Sequence, residues 1–187
     1  MTTHSDYFEV MNMPHKMGLD SKALEKTFYT LSRKFHPDFF ENKSEKEKLW
    51  SRVQTASLNK AYEVLKDPVE RAKYLLSLEA PEPEEERSKI DPMLVAEIFE
   101  IQEMVEEEKE TEDPALQVKL QDAKKEVEEK INTRRQSLGG HFKGWDALED
   151  APTKKQDLAK TIRKTIHEIT YLKNLIQSIE TRGQIRH

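Results

Sequence analysis

The chain is 187 residues long, 35% apolar and 36% charged, with five glycines, no cysteine and a net charge of −5. The missing cysteine excludes disulfides, thiolate catalysis and cysteine-based zinc sites, and the acidic balance argues against a general nucleic-acid binder, which needs a basic surface to neutralise phosphates. High charge with little glycine suits amphipathic helices around thin cores.

No apolar run approaches the ~20 residues needed to cross a bilayer. The opening Met1-Thr2-Thr3-His4-Ser5-Asp6-Tyr7 has neither an apolar signal region nor an Arg-rich presequence. The expectation is a soluble, cytoplasmic, all-α protein with no membrane partner.

In chain order, Asp6-Tyr7-Phe8-Glu9-Val10-Met11 is a short apolar segment ended by Pro14 and Gly18. Asp20 or Ser21 caps the next helix. At about 100° per residue, its Leu24, Phe28, Leu31 and Phe35 fall within about 60° of one another. Lys22, Lys26 and Arg33 cluster within about 40° on the opposite side, with Lys34 between the two faces. Such a basic stripe fits a docking helix, but on the charges alone an ordinary solvated face is the preferred reading. Pro37 ends the helix, because it lacks an N–H and disfavours helical geometry at His36.

Ser44 caps a helix reaching Lys66. Leu58, Ala61, Tyr62 and Leu65 read as its core set against the first helix, an antiparallel pair joined at His36-Pro37-Asp38. Leu49, Val53 and Ala56, with Trp50 beside them, lie about half a turn away and suit contact with a second domain. Asp67-Pro68 opens a shorter helix whose apolar positions are Ala72, Tyr74, Leu75 and Leu78. Ala80-Pro81-Glu82-Pro83-Glu84-Glu85-Glu86 cannot bury a core and reads as a linker over 81–90. That divides the chain into 1–80 and 91–187.

Asp91-Pro92 starts the next helix. Leu94, Ile98, Ile101 and Val105 form its core stripe, while Val95, Ala96, Phe99, Glu100, Glu103 and Glu107 occupy the opposite face. That second face is either a contact patch rimmed by charge or a surface buried against another neighbour. Asp113-Pro114 begins a long helix with a seam of Leu116, Leu120, Ala123, Val127 and Ile131, expected to stop at Gly139-Gly140. His141 to Pro152, with Trp145, reads as a loop. The last helix, about Thr153 to Glu180, has Leu158, Ile162, Thr165, Ile169, Leu172, Ile176 and Ile179 as its seam. Tyr171 points away from it, with Leu175 on the same flank, and the closing 182–187 stretch is expected to fray. The helices after the linker suit a three-helix bundle.

His36 and Asp38 are the residue types of a base and its orienting carboxylate, but no serine or cysteine nucleophile motif accompanies them. Six scattered histidines supply no metal-ligand spacing, and no glycine-rich phosphate loop is present. An interaction protein is therefore favoured over an enzyme, with no catalytic residues, metal or cofactor expected.

The first eighty residues resemble a J-domain, the module that stimulates ATPase chaperones of the DnaK/HscA class. The resemblance rests on Asp6-Tyr7-Phe8, on Phe28, Leu31, Lys34 and Phe35 leading into His36-Pro37-Asp38, and on Asn59-Lys60-Ala61-Tyr62-Glu63-Val64-Leu65-Lys66-Asp67-Pro68. Arg71-Ala72-Lys73-Tyr74-Leu75-Leu76-Ser77-Leu78 is similar to the close of the J-domain in the HscB family, co-chaperones of iron–sulfur cluster assembly with a three-helix bundle after the J-domain. The resemblance implies that His36, Pro37 and Asp38 engage the ATPase chaperone, with Lys22, Lys26, Arg33 and Lys34 docking electrostatically. It also implies that an IscU-like scaffold binds Val95, Ala96, Phe99, Glu100, Glu103, Glu107 and Tyr171. The chain departs from the general J-domain pattern at Tyr29-Thr30 and at Phe39. The alternatives are a J-protein serving another client, a helical assembly protein in which His-Pro-Asp is only a turn, and, more remotely, a histidine-dependent enzyme.

Overall fold

A computed structural model of the chain describes residues 6–81, 90–148 and 152–183. The acidic part of the expected linker, 82–89, and residues 184–187 of the stretch expected to fray lie outside the described residues. Every described element is helical: α1 (Tyr7–Val10), α2 (Ser21–Phe35), a 3-10 turn (Pro37–Phe40), α3 (Glu45–Lys66), α4 (Pro68–Glu79), α5 (Pro92–Thr111), α6 (Pro114–Ala147) and α7 (Pro152–Gly183). Among the described residues no helix is long and apolar enough to cross a membrane.

The helix starts follow local chemistry. A helix leaves its first N–H groups without partners, and a short polar side chain just outside supplies them. The Asp20 carboxylate accepts from the N–H of Lys22 and Ala23, and that of Asp67 accepts from Val69 and Glu70. Asp91 accepts from Met93 and Asp113 from Ala115. At α3, the Ser44 hydroxyl accepts from the Glu47 N–H while the Glu47 carboxylate accepts from the Ser44 hydroxyl and N–H. The hydroxyl first, and the N–H after it, hold the Glu47 carboxyl below its ordinary pKa.

The chain divides into two compact units, Met1–Pro81 with Trp145–Glu149, and Glu82–Gly144 with Asp150–His187. In the first, α1 and α2 both pack on α3, and α3 packs on α4. Its core is Phe8, Met11, Met17, Leu24, Leu58, Ala61, Leu65, Ala72, Leu75, Leu76 and Ala80. Phe28 of α2 stacks on Tyr62 of α3 with ring centroids 4.1 Å apart. Of the expected α2 stripe only Leu24 is fully buried, whereas Phe28, Leu31 and Phe35 are half-buried. On α4, Leu78 is exposed and Leu76 is buried in its place, beside Arg71. The Arg71 guanidinium donates to the carbonyls of Met17 (2.8 Å) and Leu65 (2.6 Å). Burial lowers its pKa, and Asp146 and then Asp67 oppose that shift. The Asp146 carboxylate accepts from the N–H of Met17 and of Gly18, both at 2.8 Å. The loop ahead of α2 is thus held through Met17 by both its N–H and its carbonyl.

In the second unit, polar pairs fix the helix directions. Lys130 pairs with Glu97 and Gln117 with Glu108, so α6 runs antiparallel to α5. Lys124 pairs with Glu180 and Arg134 with Glu168, so α7 runs antiparallel to α6. Leu94, Ile101 and Val105 of α5 are buried, as are Leu116, Leu120, Val127 and Ile131 of α6. Two expectations are corrected. α6 does not stop at Gly139-Gly140, and residues 141–147 are helical. Leu138 and Phe142 continue its apolar stripe and are buried, and so is Trp145, the first α6 residue counted with the other unit. Burying two large aromatics stabilises by about 1.5–3 kcal/mol each, against about 1 kcal/mol for each helical glycine. On α7 the buried set is Ala159, Ile162, Ile166, Ile169, Leu172, Leu175 and Ile179, so Leu175 belongs to the core and Ile166 takes the place of Thr165.

Candidate functional site

Two exposed sites arise from these frames. The first is the tip between α2 and α3. α2 ends at Phe35 because Pro37 cannot continue it, and His36 turns into an extended conformation with φ −58° and ψ 129°. A carbonyl in the last turn of a helix has lost its intrahelical donor. For Phe35 the replacement comes from α3: its carbonyl accepts from the Ser51 hydroxyl at 2.6 Å and from the Thr55 hydroxyl at 3.0 Å. Ser51 is fully buried. The residue before the tripeptide is thus tied to the neighbouring helix by two side chains one turn apart.

Beyond that anchor the tip is wrapped by local bonds. The Asp38 N–H donates to His36 Nδ1 at 3.4 Å, and a carboxylate oxygen of Asp38 lies 3.4 Å from the same nitrogen. The Phe39 N–H donates to the His36 carbonyl at 3.1 Å. The side chains of His36 and Asp38 are 52% and 75% exposed. Groups this open to water suit recognition by another protein's surface better than acid–base chemistry, which depends on a pocket around the reacting atoms. Lys22, Lys26, Arg33 and Lys34 are exposed along α2, and the Lys34 ammonium lies 5.7 Å from the centre of the Phe35 ring. Among the described residues no cluster of three or more His, Asp or Glu could hold a metal ion.

The second site is the outer face of α5. Val95, Ala96, Phe99, Glu100, Glu103 and Glu107 are all exposed, while Leu94, Ile101 and Val105 of the same helix are buried. Among the described residues, nothing covers that face. The Phe99 ring is 63% exposed, and Met93, which the sequence pattern did not single out, is exposed nearby on the same helix. α5 packs against α7, where Tyr171 is 48% exposed between the buried Ile169 and Leu172. Two packed helices therefore each present one outward aromatic, and the α5 aromatic stands among carboxylates.

Sequence reasoning did not identify Ser51, Thr55, Arg71 or Asp146 as the residues that hold the first site's frame. Only Ser51 and Thr55 left a signal, two hydroxyl residues at i and i+4 on the side of α3 that meets α2.

Comparison with known proteins gives consistent matches. Residues 6–74 match the family model of the DnaJ domain, and residues 90–180 match that of the HSCB C-terminal oligomerisation domain. The co-chaperone protein HscB homolog of Vibrio cholerae serotype O1 is 40% identical over 102 residues, covering 54% of this chain and 60% of that protein. The homolog from Vibrio vulnificus is 38% identical over the same length and shares. These alignments thus span only about three fifths of the curated relatives. Among solved structures, the chaperone HscB from Vibrio cholerae superposes with a TM-score of 0.70 at 28% identity, covering 96% of this chain and 98% of that one. The human co-chaperone protein HscB superposes with a TM-score of 0.65 at 24% identity over 98% of this chain and 84% of that one, a likeness of fold.

Proposed function

The chain belongs to the HscB family of J-domain co-chaperones, and from that premise we propose that it joins an iron–sulfur scaffold protein to an ATPase chaperone of the HscA/DnaK class. In this reading, residues 1–80 act as the J-domain, 81–90 as a linker and 91–187 as the scaffold-binding bundle. His36, Pro37 and Asp38 engage the chaperone and trigger its ATP hydrolysis, and Lys22, Lys26, Arg33 and Lys34 steer the encounter with an acidic surface. Val95, Ala96, Phe99, Glu100, Glu103, Glu107 and Tyr171 receive an IscU-like scaffold. Aromatic anchors set in a polar rim are the usual composition of binding hot spots. Carrying both contacts on one chain turns the meeting of scaffold and chaperone into an intramolecular event at raised effective concentration. The hydrolysis is chemistry of the partner's active site.

The observation that carries this reading is the exposed His36-Pro37-Asp38 tip with its preceding carbonyl fixed by Ser51 and Thr55. Its test is His36→Gln in the full chain. Stimulation of an HscA-class ATPase is expected to be lost while the far-ultraviolet circular dichroism stays that of the unsubstituted chain. Undiminished stimulation would remove the reading.

A further inference from the structure

One apolar surface is used by neither site. Phe39 on the 3-10 turn and Leu49, Trp50 and Val53 on α3 are each between 46% and 68% exposed. On a helix, residues three and four apart are surface neighbours, so Leu49 and Trp50 both adjoin Val53, and Ala56 one turn further on is exposed as well. The sequence pattern suits contact between this set and a second domain, yet it lies open on its own unit. Single exposed apolar residues are ordinary. Four large ones gathered on one turn and the adjoining helix mark a surface that expects a partner.

The patch is continuous with the tip. The Trp50 ring meets Phe35 edge-on at 5.5 Å and lies 5.9 Å from Phe40, residues that flank the tripeptide on either side. The Phe39 ring stands edge-on to His36 at 6.4 Å. Phe35 also carries the Lys34 ammonium over its ring, so the basic side of α2 and the apolar patch meet at that one residue. The charges around the patch are biased the same way. Of the acids on this stretch, Glu45 pairs with Lys48 and Glu47 is bonded to Ser44, while Lys43, Lys46 and Arg52 stand exposed against the single acid Glu41.

We propose that Phe39, Leu49, Trp50 and Val53 form a second, apolar contact for the same ATPase chaperone, seating in an apolar depression bordered by acidic groups on that partner. The inference rests on the reading of the tip given above. A protein that meets His36 and Asp38 lies against Phe39 at once, and one acidic surface would serve both Lys34 and the basic rim of the patch. The tip then supplies the trigger and the patch supplies holding energy. The departure from the general J-domain pattern at Phe39 becomes part of a specialised contact.

The division of labour fixes the test. In the full chain, Leu49→Ser with Val53→Ser leaves the tripeptide and the aromatic residues Phe35, Phe40 and Trp50 unsubstituted. Single-turnover ATP hydrolysis by a purified HscA-class chaperone is followed as the concentration of this protein is raised. The half-saturating concentration is expected to rise by about tenfold or more, the scale of an interface anchor, with the maximal rate still reached. His36→Gln should remove the maximal rate itself. Phe39→Ser is the companion variant, kept in case the α3 pair changes the circular dichroism, and it should shift half-saturation in the same direction. A half-saturating concentration unchanged in folded patch variants, with His36→Gln inactive, overturns the patch contact and leaves the tip reading standing. If His36→Gln is fully active, both fall. If sedimentation equilibrium shows self-association that the patch variants abolish while half-saturation stays put, the occupant is a second copy of this chain and the proposal fails.

Discussion

The tip at His36–Asp38 and the outer face of α5 are both exposed, yet they are held in place differently. The tip is a stretch of backbone that has left its helix, so its shape depends on polar side chains from elsewhere: Ser51 and Thr55 on the Phe35 carbonyl, and Ser44 and Glu47 closing the start of α3. The α5 face needs no such ties. Burying Leu94, Ile101 and Val105 fixes the rotation of the helix, and rotation alone turns Val95, Phe99 and Glu103 outward. At the tip, then, residues outside the tripeptide fix the backbone on either side of it. On the α5 face, the residues that hold the site and those that use it are separate sets.

That contrast can be broken at the tip first, where the largest effect is expected. Ser51→Ala with Thr55→Ala leaves the part-buried Phe35 carbonyl without either donor and removes the cross-helix tie, at a cost of about 1–3 kcal/mol. Urea unfolding followed by circular dichroism should show that loss in the first unit. Chaperone stimulation should weaken below the unfolding midpoint, although His36, Pro37 and Asp38 are intact. Stimulation that survives at full strength would mean that the tripeptide sets its own shape, and the contrast would go.

The α5 face predicts the reverse pattern. Phe99→Ala with Tyr171→Ala removes two exposed aromatic side chains outside the buried core set, so unfolding should be unchanged within about 0.5 kcal/mol. Binding of an IscU-like scaffold, measured by titration calorimetry, should weaken by more than about tenfold. A stability loss without a binding loss would place both rings in the structural set and dissolve the distinction between the two sites.

The same contrast explains what could be read from the sequence. The caps at Ser44 and Asp91 were legible, and Asp20 as one of two candidates, because a cap is a local event, settled within three residues. The α5 face was legible because one short helix keeps its register at 100° per residue. The seam of α7 was legible only in part: Ile162, Ile169, Leu172 and Ile179 are buried as read, but over 32 residues the buried set takes more steps of three than of four. A pattern drawn at one fixed period drifts around such a helix, and Leu175 falls on the wrong flank. Arg71 and Asp146 were out of reach for another reason. Their bonds to Met17 span 54 and 129 positions, and no local spacing encodes a partner that far away.

The smallest expected effect concerns Gly139 and Gly140, where a local signal was present and was overruled. Both lie inside α6 and are exposed, with no positive φ and no atom within 4 Å of the position a Cβ would take. Neither glycine is needed for a turn or a close approach, so each only adds backbone freedom to the unfolded chain. Gly139→Ala and Gly140→Ala should each stabilise the protein by about 0.5–1 kcal/mol in urea unfolding, with scaffold binding and chaperone stimulation unchanged. A rise in stability accompanied by lost stimulation would show that α6 must bend or open at this pair for the co-chaperone to work. The continuous helix would then be one of two working forms, and the expected stop at Gly139-Gly140 would describe the other.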